Sequence, residues 1–338
     1  MTDDLSIPAA LPRATTSVRL PMLAFITKRV AFGLATLFII SLLIFGVTQA
    51  LPSDPAAIML GREATPEAVK ELRHEFGLDR ALPNQYGHWL GGVVKGDFGK
   101  SFATRNPLWT YISPRVTASL FLLFCAGIVS IPISLVIGAY AALKRDKAFD
   151  TGSSFALLVL AAMPEFVVGT LLVITFSTFV FKIFPATTYI SPGRPPWSDV
   201  KGIVLPVLTL VFAVTPYVAR VMRASMIEVL ESDYIEMARL KGMPERTVLW
   251  RHALPNAVGP VFQVIALNLA YLAGGVIIVE RLFNFPGIGS ALSEAVRGRD
   301  LPVVQFLALV IATVYVLTNM AADIGTVLVT PRLRTKLR

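Results

Sequence analysis

Cysteine, histidine and charged residues are all scarce in this 338-residue chain. The single cysteine, Cys125, excludes an intramolecular disulfide, and with only three histidines it leaves too few ligands for a multi-ligand metal site. Charged residues make up 16% of the chain, well below the roughly 25% of an ordinary soluble protein. Hydrophobic residues reach 54%, so a soluble fold would lack the polar residues needed to cover its surface.

The excess of positive charge follows the apolar blocks. The formal net charge is +9, and Lys and Arg gather at the ends of those blocks, as they do at the cytoplasmic face of membrane proteins. No Lys/Arg run is interleaved with aromatic residues on a soluble module, which argues against a nucleic-acid partner. The sequence therefore predicts a membrane protein in contact with lipid.

Six apolar blocks are long enough to cross a hydrocarbon core, which requires ~20 helical residues. The third contains Pro164 and Glu165, so it could be one kinked span or a buried half-helix followed by a span. A single third span places both chain ends and both basic loops in the cytoplasm together. The six predicted spans are Val30–Ala50, Thr117–Ala141, Phe155–Phe181, Val204–Met222, Val258–Val279 and Val303–Val329.

This topology divides the chain into an all-α polytopic core and three polar regions. The polar regions are the cytoplasmic tails 1–29 and 330–338 and an external segment, 51–116. In that segment Thr65 and Pro66 predict the start of a helix, and Gly77 predicts its end. The first transmembrane helix is 30–50, and a five-helix core, 117–329, contains a cytoplasmic loop at 223–255.

One tripeptide imitates a nucleotide site. Gly99-Lys100-Ser101 matches the end of a phosphate-binding loop, but that motif requires glycine where Val94 stands. The tripeptide also follows no buried strand and lies on the external side. We therefore expect no ATP site and no catalytic residues in this chain.

The loop between the fourth and fifth spans carries strong helix signals. Asp233 predicts a helix N-cap, with Glu236 reaching back as a capping box. Gly242 suits the left-handed position after a helix, and Pro244 suits the start of the next one. The result is a rigid, basic helical elbow, which by local physics alone could simply rest on anionic lipid.

The spacing in this elbow resembles the EAA loop of ABC importer permeases, which reads E-A-A-x-x-x-G-x9-I-x-L-P. Met237 and His252 depart from the pattern, and five positions match it: Glu236, Ala238, Gly242, Leu254 and Pro255. The resemblance implies a coupling helix that docks on an ATP-binding subunit. In that role Glu236 would anchor the contact, and Ala238 and Gly242 would allow close backbone approach.

Further motifs resemble the dipeptide, oligopeptide and nickel permeases, specifically the first permease subunit with a long external loop after span one. They are Glu280 to Gly289, Arg299 to Gln305, Gly77-Leu78-Asp79, Gln85-Tyr86, Trp89-Leu90 and Gly96 to Ser101. Thr330 departs from the family, which more often has Asp before Pro331. The resemblance implies a six-helix type I importer permease fold in the bacterial inner membrane.

Such a resemblance also implies the partners. These are a second permease subunit, two ATP-binding subunits or domains that bind ATP and Mg²⁺, and an extracytoplasmic substrate-binding protein. The chain itself would hold no cofactor or metal and would carry peptides. Nickel, haem or another small solute is the alternative cargo, and an ATP-independent secondary transporter is the alternative class, which leaves the elbow unexplained.

Polar side chains inside the spans are the candidates for a substrate path, since they are costly in lipid and usually face protein or water. The predicted positions are Glu165, Asn268 and Asn319, and Asp323 is a further candidate. Glu165 could instead pair with a partner helix or lie near the cytoplasmic interface. Thr170, Thr175 and Thr178 are expected to bond back to their own helix.

Overall fold

A computed structural model describes residues 19–50, 54–61, 64–191 and 193–329. The tails 1–18 and 330–338, with the Thr330 departure, lie outside the described residues. No β-strand occurs in the described ranges, which are mainly helical. The helices are α1 Arg19–Gln49, α2 Pro55–Leu60, α3 Pro66–Glu75, α4 Leu82–Lys95, α5 Leu108–Leu143, α6 Ala148–Ala162, α7 Glu165–Val173, α8 Val200–Leu230, α9 Asp233–Leu240, α10 Glu245–Thr247, α11 Leu254–Leu282, α12 Ile288–Arg297 and α13 Leu301–Val329.

Four of the described helices are long and apolar enough to cross a bilayer: α1, α5, α8 and α13. A fifth crossing arises if α6 and α7, which meet at an angle of 106°, count as one broken span. The predicted all-α architecture with several apolar helices is thus confirmed. Helix α8 lies at its centre, with Leu205, Leu210, Val218 and Met222 fully buried against its neighbours.

The third predicted span is broken, not merely kinked. Helix α6 ends at Ala162, Met163 is extended (φ −90°, ψ 130°), and Pro164 caps α7. A residue before proline is driven out of the helical region by the proline ring, so the break occurs where the sequence placed it. A bend of 106° puts Glu165 at the start of a separate helix.

Contacts between distant segments define two ends of the helical core. At one end Arg29 pairs with Asp323 at 2.8 Å, and Arg145 pairs with Glu231. At the other end the Gln305 amide donates to the Thr48 hydroxyl at 2.8 Å, in a buried contact. Asp323 is therefore satisfied by an ion pair, which removes the reason to place it on a substrate path.

The segment after α1 folds as short helices packed on the second end of the core. Thr65 caps α3 by accepting from the Ala68 N–H at 3.3 Å, with Pro66 in the first turn, and Gly77 follows the helix at φ +65°. Helix α4 is held to α1 by the Tyr86 hydroxyl, which lies 2.8 Å from Ser41 Oγ. The predicted helix start and stop are therefore confirmed.

Candidate functional site

The elbow begins at Ser232, one residue before the predicted cap. Ser232 is extended (φ −79°, ψ 146°), and Asp233 is already the first helical residue of α9. The Ser232 hydroxyl donates to the Val229 carbonyl at 2.5 Å rather than receiving an N–H of α9. The predicted capping box of Asp233 and Glu236 is therefore wrong.

The end of α9 matches the sequence prediction. Gly242 lies in the left-handed region at φ +75°, which costs glycine little and other residues more. Its N–H donates to the Arg239 carbonyl at 2.9 Å, and the Met243 N–H donates to the Ala238 carbonyl at 3.3 Å. This pair of bonds is the Schellman motif, which fixes the turn that follows the helix.

An ion pair closes the elbow across this turn. The Arg239 guanidinium donates two hydrogen bonds to the Glu245 carboxylate, at 3.2 Å and 2.8 Å. This contact lowers the pKa of the Glu245 carboxyl and raises the pKa of Arg239. Because both side chains are about half exposed, the pair orients the two arms more than it stabilises the fold.

The two faces of α9 have different roles. Ile235 and Ala238 are buried in the chain's own core, so Ala238 does not offer a surface to a partner. Glu236 is exposed. Sequence reasoning missed the apolar side chains on the open face, where Tyr234, Met237 and Leu240 are 44%, 53% and 74% exposed.

The elbow continues directly into α11. A π-helical turn, Val248–Ala253, leads to Leu254 and Pro255 in the first turn of α11. Val248 and Ala253 are fully buried, and the Ser225 hydroxyl of α8 donates to the Ala257 carbonyl at 2.9 Å. The elbow is therefore packed into the core, where α8 and α11 meet.

A buried ion pair braces α8 beside the elbow. The Arg223 guanidinium donates to the Asp150 carboxylate of α6 at 2.5 Å and 2.7 Å, and Asp150 is only 3% exposed. The backbone N–H of Asp146 donates to the same carboxylate at 3.0 Å. Sequence reasoning missed this pair because 73 residues separate its members.

The phosphate-loop look-alike has a structural role. The Asp300 carboxylate accepts from the Ser101 hydroxyl at 2.5 Å and from the N–H groups of Phe102 and Ala103 at 3.1 Å and 3.2 Å. Ser101 and Asp300 belong to two motifs named above on separate grounds. Ser101 also lines a cavity of about 520 Å³, together with Phe45, Trp89 and Gln305.

Glu280 is the buried centre of the motif that ends at Gly289. Its carboxylate accepts from the Ser119 hydroxyl of α5 and, at 2.7 Å, from the Gly289 N–H in the first turn of α12. The Ser119 oxygen accepts in turn from the Ile288 N–H at 2.8 Å. A side chain at Gly289 would meet the Ile277 backbone at 2.4 Å, so the motif encodes a close-packed carboxylate cradle.

The predicted substrate-path residues have different environments. Asn268 and Asn319 each donate to the carbonyl four residues earlier in their own helix, at 2.9 Å and 3.0 Å. Thr170 donates to the carbonyl four residues earlier, and Thr178 lies within reach of the carbonyls four and five residues earlier, as expected. Both carboxylate oxygens of Glu165 are buried and have no hydrogen-bond partner of good geometry in the described residues.

In the described ranges, no group of three or more His, Cys, Asp and Glu side chains is placed to hold an ion. The long apolar helices and the basic elbow remain the distinguishing features.

Comparison with known families resolves the class of this protein. The profile of the binding-protein-dependent transport system inner membrane component matches residues 134–335, and that of the N-terminal membrane component of such systems matches residues 22–123. The chain belongs to this family. It is thus a multi-pass inner membrane component of a transport system, and the elbow lies within the matched part.

Curated relatives of this inner membrane component cover nearly all of it. A protein of Brucella abortus named as a peptide transport system permease is 36% identical over 313 residues, 93% of this chain and 99% of its own. The glutathione transport system permease protein GsiC of Escherichia coli K12 is 34% identical over 315 residues, 93% of this chain and all of its own.

A solved structure also matches. The crystal structure of an amino acid ABC transporter with histidines aligns with 67% of this inner membrane component and 94% of its own chain, at 18% sequence identity and a TM-score of 0.48.

Proposed function

We propose that the chain is a permease subunit of an ATP-driven peptide importer and that its elbow couples it to an ATP-binding subunit. The single observation that carries this proposal is the elbow: a helix ended by a Schellman turn, closed by the Arg239–Glu245 pair and continuous with α11. Peptides are the proposed cargo because the relatives are named for peptide and glutathione transport, and glutathione is itself peptide-like.

The docking face is the exposed side of α9. Tyr234, Met237 and Leu240 offer aromatic and aliphatic anchors of the kind that dominate protein interfaces, and Glu236 stands beside them as a polar contact. An apolar face of this kind on a basic elbow suits a groove in a soluble partner. Contact energy that differs between the partner's ATP-bound and ATP-free states would then shift the permease between its two conformations.

The proposed topology has six crossings. It counts α1, α5, the broken pair α6–α7, α8, the 29-residue α11 and α13. The ion pairs Arg29–Asp323 and Arg145–Glu231 support one face for the basic clusters, which the positive-inside rule assigns to the cytoplasm. Single-cysteine variants K100C and K241C in a C125S background should react with impermeant maleimide from opposite sides.

Affinity purification of the tagged chain in mild detergent tests the proposed function. Recovery of ATP-binding subunits, a second permease and ATP-dependent peptide uptake after reconstitution is the expected result. A chain that purifies alone and transports in liposomes without ATP would show a secondary transporter instead.

A further inference from the structure

Glu165 is a buried carboxylate for which the described part of the chain supplies no counter-charge. Its two oxygens are buried and lack hydrogen-bond partners of good geometry, and it takes part in no ion pair within the described residues. An intramembrane acidic group of this kind usually serves function, because burying a charge without compensation is costly.

The backbone at Glu165 places positive partial charge beside its carboxyl group. Glu165 is the first residue of α7, where the helix dipole places partial positive charge, and Pro164 leaves that end open by breaking the chain from α6. Discontinuous helices near the bilayer midplane are a recurring way to build substrate sites in transporters. The break therefore places the Glu165 carboxyl group beside the partial positive charge of a helix end.

Two tyrosines complete the surroundings. Tyr271 of α11 interacts electrostatically with Glu165, and Tyr217 of α8 with Tyr271. Each tyrosine lies within about one turn of the middle of its helix, so the cluster sits near the midplane of the proposed bilayer. Both rings are about half exposed on the surface of the single chain, so a ligand can approach the cluster from that side.

We propose that Glu165, Tyr217 and Tyr271 form a site on the translocation path that receives the protonated amino terminus of a peptide. The inference rests on the proposed peptide permease function and adds the chemistry of recognition. A carboxylate supplies the counter-charge for an ammonium group, and tyrosine rings and hydroxyls supply cation–π and hydrogen-bond contacts. Every peptide with a free amino terminus shares this group, so the site recognises the class without selecting the sequence.

The test uses the transporter with the partners that purify with it, reconstituted in liposomes. The photoreactive residue p-benzoylphenylalanine replaces Tyr217, and the probes are di-, tri-, tetra- and penta-alanine, each free or N-acetylated. Cross-linking of the free peptides to position 217 should fall about 10- to 100-fold on N-acetylation and in E165Q, as expected for one charge-assisted contact. The control T170V changes a side chain of the same helix that bonds to its own backbone, and it should leave cross-linking unchanged.

Different results overturn the inference and the proposed function. Equal cross-linking of free and acetylated peptides, equal cross-linking in E165Q, or cross-linking to a second permease chain instead of peptide would overturn the site. The proposed function is tested separately by ATP-dependent uptake of the same peptides by the unsubstituted transporter. Absence of uptake for all of them would overturn peptide transport itself, whereas uptake that E165Q leaves intact would overturn only the role of Glu165.

Discussion

The hydroxyl of Ser101 donates a hydrogen bond of 2.5 Å to the carboxylate of Asp300, although 199 residues separate them in sequence. Both side chains are buried, and the same carboxylate also receives two backbone N–H groups from the turn after Ser101. The contact joins the segment between α1 and α5 to the start of α13. It explains why a tripeptide resembling a phosphate loop stands where no nucleotide is expected.

Removing this carboxylate should loosen the segment between α1 and α5. D300A leaves a hydroxyl and two N–H groups unpaired in a buried place, which should lower stability by about 3 kcal/mol. Thermal unfolding in detergent and the rate of proteolysis within 64–107 measure the effect. E71Q, at an exposed position of α3, should behave as the unsubstituted protein; equal effects of the two changes would contradict the anchoring role.

The carboxylate cradle of Glu280 predicts a difference between two glycines. G289A brings a methyl group within 2.4 Å of the Ile277 backbone, which cannot yield as a side chain can, and should cost at least about 2 kcal/mol. G259A adds a methyl group to α11 where nothing lies within 4 Å, and should be neutral or slightly stabilising. The measurement is the unfolding temperature of each variant in detergent. Similar values for G289A and G259A would contradict close packing at Gly289.

The turn after α9 can be tested by strain. G242V forces a β-branched side chain into φ +75°, so the elbow should distort and ATP-coupled uptake should fall although space is open around the residue. As a control, G193V introduces the same strain at φ +79° in an exposed loop between α7 and α8, outside the elbow. Normal coupling in G242V, or equal loss in G193V, would count against the elbow as the coupling element.

The exposed face of α9 should carry the docking energy. L240D places a charge in the proposed apolar contact, and loss of an interface anchor worth about 2 kcal/mol weakens binding roughly 30-fold. Recovery of ATP-binding subunits with the tagged chain measures this loss. V94D is the matched control, because Val94 is 81% exposed on α4; parallel loss in both would point to general misfolding.

The elbow pair gives a pH dependence of known sign. Arg239 lowers the pKa of Glu245, so the pair contributes fully above the ordinary glutamate pKa and is lost as pH falls through the lowered value. The stability difference between the unsubstituted protein and E245Q should therefore be constant near neutral pH and vanish in acid. Because the pair is exposed, the difference should stay below about 1 kcal/mol; a difference that grows in acid would contradict the assignment.

Local signals in the sequence were sufficient for several features. Thr65 and Pro66 start α3 and Gly242 ends α9, because capping depends on residues within one helical turn. The predicted N-cap at Asp233 was wrong for a local reason too, because the preceding residue, Ser232, occupies the extended N-cap position. The break at Pro164 was visible as a proline, but its angle of 106° was not, because packing against other helices sets the angle.

By itself, the sequence determined the class of the protein. Long apolar blocks with basic ends require a lipid environment, and the residue spacing in the elbow matches that of importer permeases. Only the tertiary structure decided how these parts act. It buried Ala238 and exposed Leu240 on one short helix, joined Ser101 to Asp300 and Glu280 to Ser119, and left Glu165 without a counter-charge among the described residues. Periodicity reports neighbours three or four residues apart, whereas burial and charge pairing depend on segments that meet only when the chain has folded.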